Sequence, residues 1–495
     1  MIRQKTSSMR LAFALCTIVF SFLFTKVRAQ GIEWGNPQKL KNKNLFTQVI
    51  GETSEGLYLL RCKNNDFSSE VIIEKYKTNL SLEISINMPL AVNGLIERVL
   101  LVNNEIFVFI SARNLSTNTI DILAQKLDAS LKPIDQAAVI CSFPAAQYLE
   151  RRKIQIKTNA AKTMVGIMFL TKADEGSKLH LYAYQGATQQ VFGKQFSLAY
   201  PSKEIFITAF DLDNLGNAFV LIDYPKEKPN PGEDTRSFNL YCYYPATDKM
   251  LGFELGEGKL FIEELGMVVN NFNQTISVFG FYASSAGKQV DGYFYERYST
   301  KNRQLEQRYA NLVDPELLDK LVSGRMEKAS VDLRSFYIRK IIAKSDGGVF
   351  VVAEKFSRVE QRYSYYLNNM PMEGVKVIYN YDEVALVSIN SNGTLQFIDP
   401  IRKKQSSVGE TGSAGISIIP TLDFIHILYN SELDKDGNVM LHSVNYQGKA
   451  EEKILIKNTS FAIAIIPSEA KQTAASTLVA STIKDKLFTL VKFNF

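Results

Sequence analysis

Short runs of β-branched, aromatic and aliphatic residues recur along this chain, each entered through Asn, Asp, Ser or Gly. Examples are "GETSEGLYLLRC" from Gly51, "DNLGNAFVLID" from Asp213, "KSDGGVFVVAE" from Lys344 and "DKDGNVMLHSV" from Asp434. "LVNNEIFVFIS" from Leu101 and "VNNFNQTISVFGF" from Val269 are looser versions. Asn, Asp and Gly supply the positive φ of a tight hairpin, and the apolar run that follows suits a strand. Many runs alternate apolar and polar positions, the period of a half-buried strand.

A second element follows each hairpin. "VIIEKYKTNLSL", "DILAQKLDASLK", "KLHLYAYQGATQ" and "SFNLYCYYPATD" align on Tyr76, Leu127, Tyr184 and Tyr243, which lie 51, 57 and 59 residues apart. Further members lie near Tyr293, Val387 and Val444. Short strands repeating about every 50 residues are the signature of propeller blades with four strands each. Hairpins begin near residues 46, 96, 153, 205, 260, 336 and 415, and an eighth set lies in "STLVASTIKDKLFTLVKFNF". That last set lacks a strand, and "IEWGNPQKL" near the N-terminus has one to spare. The expectation is an all-β, eight-bladed β-propeller over residues 30–495, closed by pairing the two terminal strands; seven blades is the alternative count. One segment departs from the pattern: "DPELLDKL", Asp314 to Leu321, has a capping Asp, Pro in the first turn and Gly324 as a stop. It predicts a short helix inserted at about 312–324.

Charge changes the picture at the N-terminus. Of the formal net charge of +6, Arg3, Lys5, Arg10, Lys26 and Arg28 contribute five, all within residues 1–29. They flank an apolar run, Leu11 to Phe24, and small residues at Val27 and Ala29. This is a secretory signal pattern with cleavage after Ala29, and the run is short of the ~20 residues of a membrane span. The expected mature chain of 466 residues carries about +1, so no strong field attracts nucleic acid or anionic lipid. The location expected is the periplasm, the outer-membrane surface or outside the cell, with no membrane span after cleavage. Cys62, Cys141 and Cys242 stand 79 and 101 residues apart, without a C-x-x-C pair. One disulfide or three buried thiols both fit.

Motifs for chemistry fail one by one. Asp211, Asp213, Asn214 and Gly216 begin like a calcium loop, yet Leu215 and Ile222 occupy ligand positions, so the stretch reads as a hairpin turn. "GFYASSAGKQV" and "GFELGEGKL" lack the Gly and Ser/Thr of a phosphate loop. "ETGSAGIS" has Thr411 where a nucleophile elbow needs Gly. His180, His426 and His442 are the only histidines, and no H-E-x-x-H occurs. No metal site and no cofactor is expected. A pair of carboxylates could still cleave a glycosidic bond; none of the 51 acidic residues is singled out by sequence. What remains is the concentration of Tyr363, Tyr365, Tyr366, Tyr379 and Tyr381 in "QRYSYYLNNMPMEGVKVIYNYDE". Exposed tyrosines combine a flat apolar face with a hydroxyl, suited to stacking on a sugar or anchoring a protein.

The stretch "SDGGVFVVAEKF … YNYDEVALVSINSNGTL … IRKKQSS … LDFIHILYN", Ser345 to Asn430, resembles a group of exported, uncharacterised propeller-like proteins of Bacteroidota. The match covers about a sixth of the chain well, and departs at Glu383 and at "LQF", where that group often carries Trp. The resemblance implies export and a propeller; it brings no activity. The functional expectation is a non-catalytic propeller scaffold that binds a protein or glycan partner through those tyrosines. The alternatives are an exported glycan-acting hydrolase with carboxylates in the propeller funnel, and an outer-membrane β-barrel. The barrel alternative draws on the alternating Val491, Phe493 and Phe495 at the C-terminus.

Overall fold

The computed structural model describes residues 31–40, 46–63, 71–88, 94–145, 154–173, 175–200, 204–226, 235–258, 260–283, 285, 290–312, 335–367, 370–409, 412–433, 437–457, 464–484 and 486–495. The signal segment (1–29) and the expected helix at Asp314–Leu321 lie outside them.

Among the described residues the strands fall into eight separate antiparallel sheets, consecutive in sequence. We number them 1 to 8: residues 46–88, 94–144, 155–198, 206–254, 261–312, 336–408, 417–456 and 471–494. Sheets 1 to 7 each hold four strands in sequence order, and sheet 6 adds a short fifth, Gln405–Val408. Sheet 8 takes its outer strand from the other end of the chain: Gly31–Trp34 pairs antiparallel with Leu487–Asn494, Gly31 opposite Asn494 and Trp34 opposite Val491. Its expected partner strand is therefore where the sequence placed it. The first strands begin at 46, 94, 155, 206, 261, 336 and 417, close to the positions read from the repeat. This is a β-propeller architecture of repeated four-stranded sheets. Division into eight sheets corrects the barrel alternative, which requires one sheet closed on itself.

Burial explains why the repeat was legible. Second strands such as Gly56–Cys62 and Thr275–Ala283 are buried at every position, since a sheet covers each face. Fourth strands such as Gln304–Leu312 lie at the margin and keep exposed positions. Apolar clusters fill the space between each sheet and the next. One, for example, joins Leu60 and Ile73 of sheet 1 to Val108 and Leu127 of sheet 2. Another joins Leu428 and Leu441 of sheet 7 to Leu478 and Phe493 of sheet 8. A further cluster packs Val479, Phe488 and Leu490 of sheet 8 against Leu57, Leu59 and Tyr76 of sheet 1. Cys62, Cys141 and Cys242 are buried in sheets 1, 2 and 4.

The first strands share a device. In sheets 1, 2, 4, 5 and 6 the pairing with the second strand shifts by one residue, after Val49, Ile96, Ile207, Ile262 and Ile338. Such bulges bend a strand and re-aim a side chain. First strands of neighbouring sheets approach one another closely around most of the series. The approach loosens on both sides of the short first strand of sheet 7, Ser417–Pro420.

Candidate functional site

A cavity of about 600 Å³ opens at that looser place, bounded by sheets 6, 7, 8 and 1. It lies where the first strands begin, and its wall includes Phe46, Arg339, Lys340, Glu354, Tyr381 and Glu469. The volume is in the range of small-ligand sites. Arg339 is there because of the bulge: it is the extra residue between Ile338 and Lys340.

Glu354 is the centre of the polar wall. Arg339 Nε donates to its Oε2 at 2.8 Å, and Lys403 Nζ lies 2.8 Å from its Oε1. Glu354 and Lys403 are both buried, so two cations hold one carboxylate out of water. Burial pulls the Lys403 ammonium below the ordinary lysine value, and Glu354 opposes that pull. Lys403 also donates to Tyr381 O at 2.9 Å and to Gln405 Oε1 at 3.2 Å. The same Gln405 oxygen accepts the Gly415 N–H at 2.9 Å, and Gln405 Nε2 donates to Asn430 O at 2.6 Å. Asn430 Nδ2 in turn donates to Ser413 O at 2.7 Å and to Ile465 O at 2.9 Å. The loop Gly412 to Gly415, rejected by sequence as a nucleophile elbow, is thus a braced wall of the cavity, with Gly415 at φ +84°.

Glu469 stands on the opposite side of that loop. Its Oε2 accepts the Thr47 hydroxyl, linking the turn Pro467–Glu469 just before sheet 8 to sheet 1. Burial raises its carboxyl to about 7, against the hydrogen bond from Thr47. The cavity therefore offers one carboxyl group held between Arg339 and Lys403 and, near neutral pH, a second, Glu469, poised between its two forms.

The five tyrosines expected to bind ligand are divided by the structure. The second and third strands of sheet 6, Val349–Leu367 and Met370–Ile389, run far beyond their neighbours as a two-stranded ribbon. Tyr381 lines the cavity and Tyr379 lies near it, both half-buried and packed on Phe356 at 5.0 and 6.3 Å between ring centroids. Tyr363, Tyr365 and Tyr366 sit toward the tip, 49, 40 and 77 % exposed. Tyr366 is paired with Pro371, ten residues from Tyr381, or about 33 Å along the strand. The pairing also fixes the faces. Phe356, Tyr366, Tyr379 and Tyr381 share one face; Tyr363 and Tyr365, with centroids 5.7 Å apart, share the other with Met370 and Met372. Tyr363 lies over Gly374, where a Cβ would meet its ring carbon at 2.6 Å, so the glycine lets the ring lie in this position.

Elsewhere the groups weighed by sequence have structural partners. Asp213 Oδ1 accepts the N–H groups of Leu215 at 2.9 Å and Asn217 at 2.8 Å, and its Oδ2 accepts Asn217 Nδ2 at 2.6 Å. The calcium-like stretch is a turn closed by its own side chain. Among the described residues no group of three or more His, Cys, Asp or Glu is placed to hold a metal ion. His180 hydrogen-bonds Thr171 at 2.8 Å and stacks on Phe169; His426 pairs with Ser443 at 2.8 Å. Burial lowers both imidazoles to about 4.

Sequence reasoning missed Arg339, Lys340, Glu354 and Glu469. Charges inside "FYIRKII" and at the end of "VVAEKF" were the available signal, since a charge in an apolar strand needs a partner.

No protein-family model matches the chain, and no curated protein matches it. Solved structures similar to it include the polysaccharide lyase Uly1, at 9% identity, covering 92% of this chain and 99% of that one with a TM-score of 0.38. The β-propeller domain of the Trilobed protease from Pyrococcus furiosus is similar at 12% identity, 89% and 98% coverage and a TM-score of 0.34. Prolyl oligopeptidase B from Galerina marginata is similar at 7% identity and a TM-score of 0.37, covering 91% of this chain and 54% of that one.

Proposed function

We propose that this chain is an exported, non-catalytic binding propeller of eight blades in a closed ring, taking a protein or glycan ligand on the face that carries the cavity and the ribbon. The observation that carries this reading is the ribbon itself, which rises from the cavity rim and leaves Tyr363, Tyr365 and Tyr366 open to solvent. Large rigid aromatics on an exposed projection are the residues that anchor partners at low entropic cost. Closure is supported by the Gly31–Trp34 pairing and by Lys471 Nζ and Lys492 Nζ, which reach Ile50 O at 2.6 Å and Glu52 Oε1 at 2.7 Å in sheet 1. Export rests on the basic and apolar pattern of residues 1–29, and the mass of the mature N-terminus tests it.

Binding is tested with a glycan array and with capture from envelope extract, comparing the wild type with a Tyr363→Ala/Tyr365→Ala/Tyr366→Ala variant and with Tyr381→Ala. Loss of a captured glycan or protein in either variant supports the site. Capture unchanged in both would remove the tyrosines from function.

A second reading, a glycan-acting hydrolase, is favoured by one observation: Glu469, raised to about 7, and Glu354 line the same cavity. A carboxyl whose pKa is raised toward neutrality can act as the general acid of glycoside cleavage, with a second acidic side chain as its counterpart. Release of reducing ends from a glycan panel, abolished by Glu469→Gln, would establish it; no release by the wild type would leave the binding reading alone.

A further inference from the structure

The ribbon carries a second message, independent of any ligand. Beyond the pair Glu354–Val384 it continues from Phe356–Tyr381 to Leu367–Met370, as two strands only past the pair Val359–Ile378. The short strand Gln405–Val408 flanks the other edge at Ile378 to Tyr381. The first strand of sheet 6 stops at Phe336, opposite Lys355. Among the described residues, nothing pairs with the outer edge of 356–367. A lone two-stranded ribbon is marginal in water, and an open edge is a template for a further strand. Val359, Tyr363, Tyr365, Tyr366, Met370, Met372 and Val375 are all exposed on it, so it also lacks a cover.

We infer that this edge pairs with the same edge of a second copy, antiparallel and centred on Gln361, making the protein a two-fold dimer. The centre follows from geometry and charge. Two identical antiparallel strands related by a two-fold axis normal to the sheet place residues of the same parity opposite each other, because opposite residues share a face. The axis must then fall on a residue. Using nearly the whole free edge leaves two choices, Gln361 and Arg362. Centring on Arg362 sets two guanidinium groups against each other. Centring on Gln361 sets Glu360 opposite Arg362 of the second copy twice, and Val359 opposite Tyr363 twice. In one copy Glu360 already meets Arg358 at 2.8 Å, so each Glu360 bridges two cations. The alternative centre at Val359 also makes ion pairs, of Arg358 with Glu360, but it runs into residues already paired with the first strand.

The same register brings Tyr366 of one copy opposite Phe356 of the other, on the face that holds Tyr379 and Tyr381. Each copy thereby lends an exposed tyrosine to the aromatic cluster at the other's cavity rim, which Tyr337 completes at 5.8 Å from Phe356.

The test uses the full chain without ligand, in sedimentation velocity over a wide concentration range. The wild type is expected to dimerise. Glu360→Arg and Arg362→Glu, each turning two attractions into two repulsions, weaken association about tenfold or more. Mixed in equal amounts, the two variants present Arg–Arg on one strand and Glu–Glu on the other, and a heterodimer returns. Gln361→Cys is expected to form an intermolecular disulfide on oxidation, since opposed residues lie about 4.5–5.5 Å apart between Cα atoms. A wild type that stays monomeric, a mixture that stays monomeric, or a Gln361→Cys variant that does not cross-link each overturns the proposal. Circular dichroism establishes that the variants, all at exposed positions, remain folded.

Discussion

Replacing Glu469 with glutamine isolates the energetic cost of a carboxylate at the cavity wall. Glu469 titrates near 7 in the folded protein because burial disfavours its charged form; the ordinary glutamate value is 4.5. Between these values the folded state keeps a proton that the unfolded chain has lost. Stability from the neutral carboxyl is therefore full below 4.5 and falls as pH rises through 7. The interval corresponds to a ceiling of ~3 kcal/mol, and partial contact with solvent brings the expectation to ~1–3 kcal/mol. Glutamine keeps an oxygen that can accept the Thr47 hydroxyl and never ionises. Urea unfolding of both proteins at about pH 5 and about pH 8.5 measures the effect. His180 and His426, depressed to about 4, have the opposite slope: their contribution is present above 6.5 and is lost as pH falls toward 4. They are common to both proteins and cancel in the difference. Glu469→Gln should thus gain ~1–3 kcal/mol relative to wild type on going from the acid to the alkaline condition. A difference that does not move with pH refutes the burial of this charge.

Three further outcomes test other parts of the structure. Lys403→Met leaves the buried Glu354 with Arg339 alone and should cost ~3–5 kcal/mol in urea unfolding, with Glu354→Leu/Lys403→Met costing less than the two single changes summed. Asp213→Ala removes three accepted hydrogen bonds and should cost ~1–3 kcal/mol, while added calcium leaves the thermal midpoint of the wild type unchanged; a calcium-dependent rise would restore the metal reading. Deleting residues 31–34 uncovers the edge of Leu487–Asn494 and should lower the thermal midpoint and promote aggregation on light scattering; unchanged behaviour would detach the N-terminal strand from sheet 8.

The stretch from Ser345 to Asn430, noticed for its resemblance, turns out to supply Glu354 and Tyr381, which line the cavity, and Lys403, Gln405 and Asn430, which are connected to them by hydrogen bonds and an ion pair. In sequence they are separated by up to 76 positions and carry no motif. Their meeting depends on a bulge, a loop and the spacing of two sheets. Glu469 is more distant still, and its partner Thr47 lies 422 residues away.

The chain by itself determined the repetition of short-stranded sheets along its length and the origin of the last outer strand, and left seven or eight units open. Strand period, turn chemistry and repeat spacing are local, and burial on both faces writes them into second strands such as Met164–Lys172 and Thr275–Ala283 as largely apolar runs. It also flagged five tyrosines by density alone. Tertiary structure decided that Tyr381 belongs to a cavity and Tyr366 to a tip some 33 Å away, because strand length and pairing, not proximity in sequence, set where side chains stand. It decided, too, which acids matter, since a carboxylate's state depends on the dielectric and the charges brought around it only when distant strands come together.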